Sequence, residues 1–143
     1  MNGLEALQIT QKYIDITAAG QTDVEGATRI DMQGFHEAVF VTQLGTITGS
    51  GQVDVTVRHK ATDAAGDKTT LTGQLIGSAN SDKAIVLSIV NPVERYLDLI
   101  IERSVANSEV DNVLVILRRA NDHPVAQPSA IADSAAAIAP ATA

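Results

Sequence analysis

Residues Gln52-Val53-Asp54-Val55-Thr56-Val57-Arg58 place a valine at every second position with a polar residue between. Successive side chains of a strand point to opposite faces, so this alternation predicts a half-buried β-strand with Val53, Val55 and Val57 inward. The period of two constrains the fold more than any other feature because it returns along the chain. Tyr96 to Ile101 (YLDLII) sets Leu97, Leu99 and Ile101 on one face and Asp98 on the other, outward. A helix over Val93 to Arg103 leaves Ile100 and Ile101 on different sides of an irregular stripe, so the strand is the better reading.

Three further stretches are apolar on both faces. Glu37 to Leu44 (EAVFVTQL) and Lys83 to Val90 (KAIVLSIV) are rich in β-branched residues, which suits central strands of a sandwich or strands covered by a neighbouring chain. Asn91-Pro92 stops the second of them. Asn112 to Leu117 (NVLVIL) is another buried strand, ended by Arg118-Arg119. Leu7 to Ile16, Thr28 to Met32 and Thr69 to Ile76 carry the same pattern with less contrast. Glycine or Asn/Asp clusters separate these segments, as in Gly45 to Gly51 and Thr62 to Asp67. About eight strands at such spacing predict an all-β fold: an antiparallel β-sandwich, jelly-roll-like, as a single domain with extended N- and C-terminal arms.

With 143 residues the chain is long enough for one domain to bury a core without staples. It has no cysteine, which removes disulfides, thiolate metal sites and cysteine nucleophiles. A net charge of −7 is wrong for gripping phosphate backbones or anionic membrane surfaces, so neither nucleic acid nor membrane is an expected partner. Two Phe, two Tyr and no Trp leave few rings for stacking on sugars or bases. No apolar run approaches the ~18 residues that span a bilayer, and Met1 to Glu5 lacks the basic start of a signal peptide.

The organisation reads as an N-terminal arm and first strand over 1–25, a β-sandwich domain over 26–124, and an Ala/Pro-rich C-terminal arm over 125–143. The last of these, from Ala126, has nine alanines in AQPSAIADSAAAIAPATA and only Ile131 and Ile138 as large apolar residues. Small side chains bury too little to order such a segment alone, so contact with another chain is expected there and over Met1 to about Ile9.

The usual catalytic arrangements are missing. His36, His59 and His123 have no second ligand at metal-binding spacing, and no metal or cofactor is expected. Asp63 and Asp67 flank Gly66, but alanines stand where a calcium loop needs oxygen ligands. Gly45-Thr46-Ile47-Thr48-Gly49-Ser50-Gly51 precedes a strand, not the helix of a phosphate cradle. Glu94 and Asp98 are one of several acid pairs that spacing alone cannot judge. No catalytic residue is assigned, and an enzyme is not expected. Arg118-Arg119 is the single concentrated basic spot, read either as a solvated strand end or as an ion-pairing contact with an acidic partner.

Ile30-Asp31-Met32-Gln33-Gly34-Phe35, followed by Ala38-Val39-Phe40-Val41 and Leu44-Gly45, resembles the opening of small tailed-phage head proteins. Arg95-Tyr96-Leu97, Ala106-Asn107, the next apolar strand, and Arg118-Arg119 before Pro124-Val125 continue the likeness. Over residues 28–125 the chain is thus similar to phage capsid decoration, or cement, proteins. The Ala-rich tail and the first 25 residues depart from that pattern.

That resemblance implies a non-enzymatic β-sandwich on the outer surface of the phage head, made in the host cytoplasm, with the major capsid protein as partner. It also implies self-association, a homotrimer being favoured over a dimer. Partner-contacting residues expected on this basis, and from the composition of the two ends, are Met1, Leu4, Leu7, Arg118, Arg119, Pro124, Pro128, Ile131 and Ile138. Two other readings stay open: a neck- or tail-associated virion protein, and a host-surface or carbohydrate-binding module using Tyr13, Phe35, Phe40 or Tyr96.

Overall fold

The chain pairs with itself in nested order. In the computed structural model, which describes residues 7–19, 22–26, 28–64 and 69–121, nine strands run as β1 Gln8–Ala19, β2 Asp23–Val24, β3 Ile30–Asp31, β4 Glu37–Ile47, β5 Gln52–Lys60, β6 Thr69–Gly77, β7 Ala84–Val90, β8 Tyr96–Ser104 and β9 Ser108–Arg118. The innermost pair is β5 with β6. Around it β4 pairs with β7, then β2 and β3 with β8, and finally β1 with β9, all antiparallel. Pairing of β4 with β9 and of β5 with β8 joins these hairpins side by side. The result is two antiparallel sheets, β1-β9-β4-β7 and β2-β8-β5-β6, with β3 on the same edge of β8 as β2. This is a jelly-roll sandwich, the all-β class that the period-two pattern predicts.

The core lies between the sheets. Val53, Val55 and Val57 of β5 face it as expected, with Leu97, Leu99 and Ile101 of β8 beside them and Phe40, Leu44, Val113 and Val115 opposite. Each of these aliphatic side chains contributes about 1.5–3 kcal/mol when fully buried. The stretch 93–103 forms β8 rather than a helix.

Two expectations need correction. Asp98 does point away from the aliphatic core face, but it does not reach water: it is wholly buried. Alternation reports which face a residue takes, not what covers that face. The stretch over Lys83 to Val90 is also not central. It forms β7 at the edge of its sheet, paired only with β4 among the described residues, and exposes Val86 and Val90. The reading of this stretch as a central strand is therefore overturned.

Candidate functional site

The two long sides of the sandwich differ in how they are closed. On the β1 side, β2 covers Ile101 and Glu102 of β8 while β3 covers Tyr96 and Leu97, which leaves a gap at Asp98 to Ile100. Side chains of β1 and of the β2–β3 connection fill it. The Tyr13 hydroxyl donates to the Leu99 carbonyl at 3.2 Å and accepts from the Gly26 N–H at 2.6 Å. Lys12 Nζ donates to the Thr28 carbonyl and lies 3.2 Å from Asp98 Oδ1. Arg29 Nε sits 3.8 Å from Asp98 Oδ2 and 3.4 Å from Asp63 Oδ1. The side chains of Lys12, Arg29 and Asp98 are 5%, 2% and 0% exposed. Burial, then the Asp98 charge, pushes the Tyr13 hydroxyl far above its ordinary pKa, so it stays a neutral donor.

A second staple closes the end of the same side. Arg103 Nη1 donates to the Thr17 carbonyl at 2.7 Å and the Ser108 carbonyl at 3.1 Å, and its Nη2 to Thr22 Oγ1 at 2.6 Å. Burial opposes its charge and lowers its pKa. Both clusters hold the fold together and offer no open site.

The opposite side is open among the described residues. Strand β6 edges one sheet and β7 the other, and neither Thr69–Gly77 nor Ala84–Val90 contains a charge or a proline. Edges are normally blunted by such residues because unpaired backbone groups invite another strand. Here Leu75, Val86 and Val90 are 62%, 61% and 53% exposed. Between the two strands runs a groove of about 330 Å³ lined by Leu44, Gln74, Ile76, Lys83, Ile85 and Val86 among others. Its end is fixed: the Asp82 N–H donates to the Gly45 carbonyl at 3.0 Å, the Ile47 N–H to Ser81 Oγ at 3.0 Å, and Gln43 Nε2 to the Asp82 carbonyl at 2.9 Å. The groove is therefore a preformed feature between two fixed edges, suited to an extended aliphatic segment.

A shallower recess of about 380 Å³ lies at one end, between the β3–β4 and β7–β8 loops, and takes in Phe35, His36, Asn91, Val93 and Glu94. Beside it, Arg95 holds Asp31 by two hydrogen bonds of 2.8 Å, which keeps the Asp31 carboxyl below the usual range. The recess gathers no group poised for chemistry. His36 Nε2 is 2.6 Å from Asn121 Oδ1, His59 lies in β5 opposite Thr69 and Leu97, and His123 is outside the described residues. No group of three or more metal-ligating side chains occurs among the described residues. Asp63 serves Arg29, while Glu94 stands at the recess and Asp98 is sealed under Lys12 and Arg29.

Of the expected contact residues, Arg118 and Arg119 are exposed at the end of β9, with Arg118 Nη1 3.6 Å from Glu37 Oε1. Leu7 is half-buried just before β1. Gln8 and Ile9, inside the stretch expected to touch other chains, pair with Leu117 and Ile116 of their own sheet. Met1, Leu4, Pro124, Pro128, Ile131 and Ile138 lie outside the described residues. Of the rings, Phe40 is buried, and Tyr96 is half-buried under the Arg95 guanidinium. Sequence reasoning missed the open side as a unit, although the absence of charge in both Thr69–Gly77 and Ala84–Val90 was visible.

No protein-family model matches the chain, and no curated protein matches its sequence. Solved structures do match. A chain from the Bacillus endospore appendages, described as a family of disulfide-linked pili, aligns with a TM-score of 0.50 at 13% identity over 85% of this chain and 95% of that one. The Clostridium thermocellum endo-1,4-β-D-xylanase 10B, a CBM22-1 and GH10 module pair complexed with xylohexaose, aligns with a TM-score of 0.47 at 16% identity. That match covers 85% of this chain and 26% of the xylanase chain. The fold of this protein is thus similar to that of a pilus-forming appendage protein.

Proposed function

We propose that the chain is a non-enzymatic structural subunit that works by being covered along its open side. The observation that carries this is the pairing of two charge-free edge strands, β6 and β7, with Leu75, Val86 and Val90 exposed on them. Contact with another chain would remove this apolar surface from water and satisfy the edge N–H and C=O groups. The other side, clasped by Tyr13, Lys12, Arg29 and Arg103, supplies the rigidity such a part needs. Within that class, the resemblance over residues 28–125 favours a decoration protein on the outside of a tailed-phage head. There it binds the major capsid protein, self-associates as a trimer, and stabilises the shell across capsomer boundaries. Adding the purified protein to undecorated heads tests this. Saturable binding at about one copy per capsid subunit, with heads that survive more heating, is the expected result; heads that take up none overturn it.

A second assembly, a fibre like that of the endospore appendages, shares the fold but needs a different cross-link. Those pili are disulfide-linked, and this chain has no cysteine. Any polymer of this protein would be held by something other than disulfides.

A further inference from the structure

We infer that β7 receives an antiparallel segment of a partner protein that carries an aliphatic residue opposite Ile85 and, two residues later, an aspartate or glutamate opposite Lys83. The inference rests on the reading that the open side is covered by another chain, and it names the chemistry of that chain. The backbone sets which groups of β7 a partner meets. The Leu44 N–H donates to the Lys83 carbonyl at 2.9 Å and the Asn91 N–H to the His36 carbonyl at 2.7 Å, so Lys83 and Asn91, which flank β7, both turn toward β4. The register between them runs from Ala84 to Val90 without a shift. Backbone groups alternate in direction along a strand, so Ala84, Val86, Ser88 and Val90 present their N–H and C=O groups to the edge that no described strand occupies.

The side chains set what the partner must carry. Odd-numbered residues of β7 face the sandwich interior: Leu87 and Ile89 are buried, and Ile85 is half-buried at the groove. In an antiparallel pair, side chains directly opposite one another share a face. A residue opposite Ile85 therefore points into the groove, where Leu44, Ile76 and Ile85 supply an apolar lining that a branched aliphatic side chain fits. Lys83 is the one charged residue among those described at the groove. It is exposed and makes no ion pair among the described residues. Since the partner runs opposite to β7, it passes Ile85 before Lys83, which puts an acid two positions after the aliphatic residue. A carboxylate there forms a cross-strand ion pair at the rim of an apolar contact, and a lysine or arginine there is repelled. Val86 and Val90 lie exposed on the other face, where the residues between the groove-facing ones cover them.

The test uses the full chain and a synthetic peptide, Ser-Val-Ser-Val-Ser-Val-Ser-Glu, acetylated and amidated so that its only carboxylate is the glutamate side chain. Fluorescence anisotropy of the labelled peptide measures affinity, and amide hydrogen exchange locates the contact. The expected result is saturable binding that slows exchange of the Val86 and Ser88 N–H groups at least tenfold. Replacing the peptide glutamate by glutamine weakens binding about two- to fivefold, the scale of a cross-strand ion pair. Lys83→Glu abolishes that preference, with strand content unchanged by circular dichroism. No saturable binding at millimolar peptide, equal affinity for the two peptides, a preference that survives Lys83→Glu, or protection away from β7 each overturns the inference. So does slow exchange at Val86 and Ser88 without peptide: in concentrated protein it assigns the edge to a second copy, and in dilute protein to the chain's own remaining residues. Negative results from protein that still decorates heads remove this contact and leave the structural role in place. If heads take up none while the peptide binds as described, the docking contact stands and the phage-head role falls.

Discussion

The Tyr13 hydroxyl and the Leu99 carbonyl, 86 residues apart in sequence, meet at 3.2 Å on the edge of β8 away from β5, between the short strands β2 and β3. One side chain thus stands in for a missing strand. It gives β8 a donor and gives the Gly26 N–H an acceptor. Tyr13→Phe keeps the ring packing and removes both bonds. An expected loss of about 1–3 kcal/mol follows from stranding two partly buried backbone groups, and urea unfolding monitored by circular dichroism measures it.

Asp98 balances two buried cations, Lys12 and Arg29. Asp98→Asn keeps the shape but leaves those charges without their buried counter-ion. Breaking such a cluster costs about 3–5 kcal/mol, a fall in melting temperature of roughly 10 °C in a domain of this size. Adding Lys12→Met should recover part of the loss, because one stranded cation goes with it. Calorimetry on the two variants checks both the fall and the recovery.

Asp54 gives the opposite sign. It stands directly across from Glu102, which Arg58 holds at 2.7 Å. Burial, then the Glu102 charge, raises its pKa, against the attraction of Arg58. The folded state therefore binds the Asp54 proton more tightly than the unfolded chain does. Ionised Asp54 lowers stability at neutral pH, and that penalty vanishes below the unfolded value near 4. Asp54→Asn should stabilise the protein at pH 7 by about 0.2–1 kcal/mol, the scale of a cross-strand pair. The gain should fade on acidification, as paired melting curves across pH would show.

Val105 takes φ of 72° in the tight turn between β8 and β9, and its side chain is exposed. A β-branched residue in this left-handed region crowds its own carbonyl, and no buried contact offsets that strain. Val105→Gly should therefore raise stability by about 1 kcal/mol. A lower midpoint of denaturation for the variant would show that the turn relaxes some other way.

Most of the architecture was readable because half-buried strands alternate. Val53, Val55 and Val57 mark β5 unambiguously, and Leu97, Leu99 and Ile101 do the same for β8. Asp23–Val24 is too short to show any period, so β2 left no trace. Which strand lies beside which is also absent from alternation, so β7 could be read as central although it is an edge. The clasp was illegible for a related reason. Its members, Lys12, Tyr13, Arg29, Asp63 and Asp98, are scattered over 87 positions of sequence, and long-range pairing alone gathers them.

The open side makes a prediction about behaviour in solution. Val86 and Leu75 are exposed and sit on separate edges, so replacing both by lysine removes no core contact. Surface changes of this kind usually shift stability by no more than about 0.5 kcal/mol. They do place charge where a docking strand or a second copy would have to bury it, which edge strands use to repel pairing. The natural chain should self-associate as its concentration rises, and the Leu75→Lys/Val86→Lys variant should stay monomeric with the same melting temperature. Sedimentation velocity over a concentration series separates the two. If the double variant associates as readily as the natural chain, the contact lies elsewhere, and the exposed arginines at the end of β9 become the next surface to test.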